Sequence, residues 1–112
     1  MKQVSKSLHL PNPIATYFAA ESGDGEAVSQ CFTEDAIVKD EGRIYNGRNA
    51  IRKWKVDAST RYQYTSEPFA SEARDGKTVV TSHVAGNFPG SPVDLQFCFE
   101  LEGDKIASLE IR

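Results

Sequence analysis

The sequence predicts an α+β domain, three N-terminal helices packed on a curved, mainly antiparallel sheet. Three observations carry this. Up to Thr60, apolar residues recur three and four apart, the period of one helix face. Beyond Thr60 they alternate with polar residues, the period of a half-buried strand. Between Cys31 and Trp54 the helical pattern is interrupted by two short alternating runs around Glu41-Gly42. Helices gathered on one side of an antiparallel sheet bury one face of each against the other.

The elements follow in order. Residues 1–11 are polar and aperiodic and read as a loose arm ahead of a single domain spanning 12–112. Asn12-Pro13 reads as a helix start, with Asn as the cap and Pro in the first turn. Ile14, Tyr17 and Phe18 give that helix its apolar face, and Gly23 ends it. Asp24 caps the second helix and Glu26 sits near the positive end of its dipole. Ala27, Val28, Cys31 and Phe32 form its buried face. Ala36 to Asp40 reads as a strand, Glu41-Gly42 as a turn, and Arg43 to Tyr45 as a short return. Asn46-Gly47 opens the third helix, with Ile51, Trp54 and Ala58 facing inward and Arg48, Arg52, Lys53 and Lys55 assigned to its polar face.

The remainder is a meander. Tyr62, Tyr64 and Ser66 alternate in its first strand, and Asp75-Gly76 is a strong hairpin signal. Thr78 to Phe88 forms the next strand, with His83 at its middle. Asn87 to Pro92 is a connecting loop, since Pro cannot serve a central ladder. Leu95, Phe97, Phe99 and Leu101 mark one face of the following strand. After Gly103-Asp104, Ala107, Leu109 and Ile111 mark the last one.

Composition narrows the function. A net charge of −3 argues against nucleic acid or an anionic membrane surface, which both attract a basic face. The chain has no apolar run long enough to span a membrane and no apolar leader core, so a cytoplasmic location is expected. Cys31 and Cys98 are isolated in apolar surroundings and are expected to be reduced and buried. No His or Cys cluster has metal-binding spacing, and neither metal nor cofactor is expected.

A curved sheet over three helices encloses a cone. Its predicted floor is Phe97, Phe99, Leu109 and Tyr64. Tyr17 or Phe18, with Phe32, Val38, Ile51 and Trp54, close round it, making a lining suited to a small apolar molecule. The other sheet face, with Gln96, Cys98 and Glu100, has no helix to cover it, which predicts a homodimer through the sheet. Asp40 shares a strand face with Val38 because side chains alternate. A carboxylate that shares a face with apolar neighbours is either a displaced surface charge or a working group, and apolar surroundings raise its pKa.

The run Gly23-Asp24-Gly25-Glu26-Ala27, then Phe32-Thr33-Glu34-Asp35-Ala36, then Tyr45-Asn46-Gly47-Arg48-Asn49-Ala50-Ile51, and the turn Gly103-Asp104-Lys105-Ile106 follow one another at a familiar spacing. In these the chain resembles the SnoaL-like branch of the nuclear transport factor 2-like superfamily, a cystatin-like cone fold shared with ketosteroid isomerase. The resemblance implies a general base at Asp40, in the context Ala36-x-Val38-x-Asp40. It does not carry over the isomerase oxyanion hole. Thr16 stands at the tyrosine position, with Tyr17 one residue off, and Phe97 stands at the position of the sheet acid. Epoxide hydrolases of this superfold use an Asp-Arg-Asp set; Asp40 and Arg74 are present, but no second aspartate falls on their face. Cyclases of the branch place acid–base groups on the sheet, which makes His83 a candidate partner for Asp40 if it faces the cone rather than the outer face. Two functions remain open: capture of a small hydrophobic molecule, or cofactor-independent acid–base catalysis (isomerisation, cyclisation, dehydration or hydrolysis) by Asp40 with Tyr17 or His83 as helper.

Overall fold

The computed structural model describes residues 9–21 and 24–112. Three helices, α1 (Asn12–Ala20), α2 (Gly25–Gln30) and α3 (Gly47–Arg61), pack on one six-stranded sheet. The strands are β1 (Phe32–Asp40), β2 (Arg43–Asn46), β3 (Tyr64–Arg74), β4 (Lys77–Gly86), β5 (Val93–Glu102) and β6 (Lys105–Ile111). Their order across the sheet is β2-β1-β6-β5-β4-β3. Every neighbouring pair is antiparallel except β1 and β6, which run parallel. The predicted fold class and element order are those observed.

The register sorts the two faces of the sheet. Val38 lies beside Tyr45 and Leu109, and Leu109 beside Phe99, all on the helix-covered face. One residue along, Cys98 lies beside Glu110 and His83 beside Asp94, on the other face. The β1–β2 and β3–β4 turns place both central residues in the left-handed region: Glu41 and Gly42 at φ 53° and 76°, Asp75 and Gly76 at 54° and 78°. That is the backbone whose twist matches an antiparallel hairpin, and Gly at the second position adopts it without strain.

The base of the cone is an aromatic cluster. The Tyr17 ring meets Phe18, Phe32 and Phe99 edge-on at centroid distances of 5.2, 6.1 and 5.6 Å, the arrangement that the ring quadrupole favours. Ile14, Val28, Phe32, Val38, Ile51, Val80 and Phe99 have no exposed surface.

Three local expectations are corrected. Asn12 does not cap α1. The carbonyl of Pro11 already accepts from the amides of Ile14 and Ala15, so the helix starts one residue earlier and Asn12 lies within it. Phe32 does not end α2 but starts β1, where it pairs with Ile106. Register shifts between Phe32 and Ile37, and the polar run Thr33-Glu34-Asp35 hides the strand's alternation. Lys55 is not a polar-face charge; it is buried. The predicted helix end at Gly23 lies outside the described residues, as does most of the arm. Asp24 does cap α2, its Oδ1 accepting from the Ala27 amide at 3.1 Å. Cys31 and Cys98 are free and buried, as expected.

Candidate active site

Two helices each place one charged side chain on an otherwise apolar face. Glu21 follows Tyr17 by four residues at the end of α1, and Lys55 follows Ile51 by four in α3. Residues four apart share a helix face, so both charges turn inward. They meet inside the cone: Lys55 Nζ donates to Glu21 Oε2 at 3.4 Å, with the two side chains only 4% and 5% exposed.

A buried polar network surrounds this pair. Tyr17 donates its hydroxyl proton to Glu21 Oε2 at 3.3 Å. Lys55 Nζ also donates to the Tyr64 hydroxyl at 3.2 Å, and Tyr64 in turn donates to the Glu21 carbonyl at 3.5 Å. Three aromatic faces flank the ammonium, with Nζ 4.3 Å from the Trp54 ring centre, 5.4 Å from that of Tyr17 and 5.8 Å from that of Tyr64. Such contacts stabilise a cation most when it is desolvated.

Asp40 completes the set. It lies at the end of β1 on the Val38 face, half-buried, and its Oδ2 accepts from Trp54 Nε1 at 3.1 Å. Burial raises the Asp40 pKa above the ordinary carboxylate value, while the Trp54 bond and the Lys55 charge oppose the rise. Burial also raises Tyr64, against the pull of Lys55. Tyr17 is raised well above the usual phenol range by burial first and by the Glu21 charge second.

The predicted site residues separate into four groups. Asp40, Trp54 and Tyr64 belong to the network, and Phe18 borders it half-buried. Phe32, Val38, Ile51, Phe97, Phe99 and Leu109 are at most 1% exposed and pack against one another, forming the closed base of the cone beneath the network rather than an open lining. Tyr17 is fully buried with its hydroxyl committed to Glu21, so it positions that carboxylate. His83 is not brought to the cone. It sits on the outer face, where its Nδ1 meets Asp94 Oδ1 at 2.8 Å, because the inward positions of β4 are taken by Val80, Ser82 and Val84. Thr16 is exposed. Arg74 is also exposed and pairs with Glu72, away from Asp40. Lys55 pairs with Glu21 instead, and its charge is felt by Asp40, whose own hydrogen bond is to Trp54.

Glu21 and Lys55 are the residues that sequence reading missed. The available signal was their position, four residues after a core aromatic and a core isoleucine. Among the described residues no group of His, Cys, Asp and Glu is arranged to hold a metal ion, and no helix is long and apolar enough to cross a membrane.

The chain matches the SnoaL-like domain model over residues 14–109. A solved structure of a candidate polyketide cyclase from Sinorhizobium meliloti is 39% identical, with a TM-score of 0.88 over 99% of this chain and 100% of that one. An epoxide hydrolase/cyclase-like enzyme of pyran ring formation in the polyether salinomycin is 26% identical, with a TM-score of 0.73 over 88% of this chain and 85% of that one. A protein of ketosteroid isomerase-like fold from Catenulispora acidiphila, solved with trimethylamine, shares the fold at 18% identity and a TM-score of 0.82, over 93% of this chain and 86% of that one. No curated protein matches the chain closely.

Proposed function

Because the chain belongs to the SnoaL-like domain family, we propose that it is an acid–base enzyme acting on a compact, partly apolar carbonyl compound, with Asp40 as the proton-transfer base. The observation that carries this is the buried Glu21–Lys55 ion pair, joined to Tyr64 and set beside Asp40. Burying an ion pair is a poor way to stabilise a fold, because desolvation offsets most of the attraction. Convergent titratable groups, with Asp40 and Tyr64 raised by burial, are instead what acid–base chemistry uses. Capture of an apolar molecule, the simpler reading, calls for none of them.

In this reading the Asp40 carboxylate removes a proton from the carbon next to the substrate carbonyl. The C–H electron pair moves into a carbon–carbon double bond and the carbonyl oxygen becomes an enolate. Lys55 supplies the donor for that oxygen, through the ammonium proton that Glu21 and Tyr64 leave free, and one such preorganised donor is often worth about 100- to 1000-fold in rate. Protonated Asp40 then returns the proton at a second carbon, giving an isomer. Alternatively the enolate carbon attacks a second carbonyl of the same molecule and closes a ring, the new alkoxide taking the proton from Asp40. The likeness to a candidate polyketide cyclase supports the second outcome.

The test is hydrogen exchange. Small cyclic and linear ketones incubated with the protein in D2O are expected to gain deuterium beside the carbonyl faster than in buffer, and Asp40→Asn is expected to abolish the gain. No exchange with any ketone of the panel, or equal exchange by Asp40→Asn, would overturn the reading.

A homodimer through the outer sheet face fits the same architecture. Val79 and Cys98 are nearly buried there. Beside them an open groove of about 190 Å³ runs past Ala70, Thr81 and Gln96. None of the three helices lies on that side.

A further inference from the structure

Glu21 is used on one side only. Its Oε2 takes both Tyr17 and Lys55, while Oε1 is buried with no hydrogen-bond partner among the described residues. A carboxylate offers about four acceptor sites, and an oxygen stripped of water without replacement destabilises the fold by more than an ordinary hydrogen bond contributes. Native proteins rarely leave such an atom empty-handed. Beside it, Lys55 Nζ has three donors and two acceptors, Glu21 Oε2 and the Tyr64 hydroxyl. Among the described residues the pair therefore presents an unspent acceptor and an unspent donor, inside the cone.

We infer that Glu21 Oε1 is a substrate subsite that accepts a hydroxyl proton, so that the substrate is a hydroxy-carbonyl compound whose carbonyl oxygen lies on Lys55 and whose hydroxyl lies on Glu21. The inference rests on the acid–base reading for the place of the carbonyl, but the subsite stands on the unpartnered oxygen. A neutral hydroxyl fits better than an ammonium group, which would lie against the Lys55 charge. It also fits better than a second carbonyl, which brings no proton to donate. Where a site is built around a hydrogen bond, an analogue lacking that group leaves the buried partner unpaired, so discrimination is strong.

The experiment compares two probes that differ by one hydroxyl, 4-hydroxy-4-methylpentan-2-one and 4-methylpentan-2-one, titrated against the protein by NMR. The hydroxyketone is expected to bind about tenfold tighter, the scale of one hydrogen bond to a charged group. Glu21→Gln is expected to erase most of that preference. Asp40→Asn is expected to keep it while losing deuterium exchange, so failure of the base assignment and failure of the subsite give different results. Should Glu21→Gln not fold, the two wild-type titrations still decide. Equal affinities would mean that water alone satisfies Oε1 and would overturn the inference, as would binding by neither probe.

Discussion

At Asp40, burial and hydrogen bonding pull in opposite directions, and burial prevails. A carboxyl whose folded pKa is raised favours the protonated fold. Its stabilising contribution is complete below the unfolded value and is lost as pH rises through the folded one. At neutral pH the ionised side chain is therefore a liability to the fold. Asp40→Asn keeps an acceptor for Trp54 Nε1 and removes the charge, so its melting temperature at pH 7 is expected to equal or exceed that of the wild type. Turnover should fall by about 100- to 10,000-fold, the usual contribution of a general base. The acid limb of the rate profile is expected above the ordinary carboxylate range, since the base works only when ionised. Lys55→Met leaves Glu21 buried without its cation and is expected to destabilise the fold by about 3–5 kcal/mol. Adding Glu21→Gln to that variant should recover much of the loss, which urea denaturation of the four proteins would show. Asp40 was legible in the sequence because a two-residue period places it beside Val38. Lys55 was not, because a lysine on an apolar stripe ordinarily extends its ammonium to water. Its meeting with Glu21, 34 residues away in sequence, together with Tyr64 and the flanking aromatic rings, keeps it inside.

The helices and strands hold these groups through a few close backbone approaches. At the start of β3, a Cβ added to Gly86 would fall 2.2 Å from the Gln63 carbonyl and 2.6 Å from the Tyr64 Cβ. Gly86→Ala must push β3 and β4 apart at the root of the Tyr64 strand. The expected loss is about 1–3 kcal/mol, the usual effect of overpacking, with lower activity because the Tyr64 hydroxyl shifts. Thermal denaturation and the exchange assay would check the two parts. Gly25 has the same role between α2 and α3, with Val56 Cγ2 2.5 Å from where its Cβ would stand. At this scale the hairpins were legible, since Asp75-Gly76 adopts the backbone its residue types favour and Gly42 supplies the left-handed position of the other turn. The start of β1 was not. Phe32 is held by Ile106 across the sheet, and no local pattern around Thr33-Glu34-Asp35 announces that pairing.

Across the whole molecule the sheet has one face closed by helices and one open. The outer face carries uncharged Val79, Thr81, Gln96 and Cys98 at its centre, with the His83–Asp94 pair to one side. Sedimentation equilibrium is expected to return twice the chain mass at micromolar concentration. Val79→Lys, on the face opposite the cone, is expected to lower it to the monomer value. The α+β architecture was readable from the change of period after Thr60, but neither face could be assigned along β4, where Val80, Ser82 and Val84 mix apolar with polar. The parallel seam between β1 and β6 also sets an order in time. While β1 and β2 are being made, the strand that β1 pairs with does not yet exist, and Phe32 and Val38 must wait for Ile106 and Leu109. The strand end that carries Asp40 can thus take its final place in the sheet only after β6 has been synthesised, although β1 itself lies in the first half of the chain.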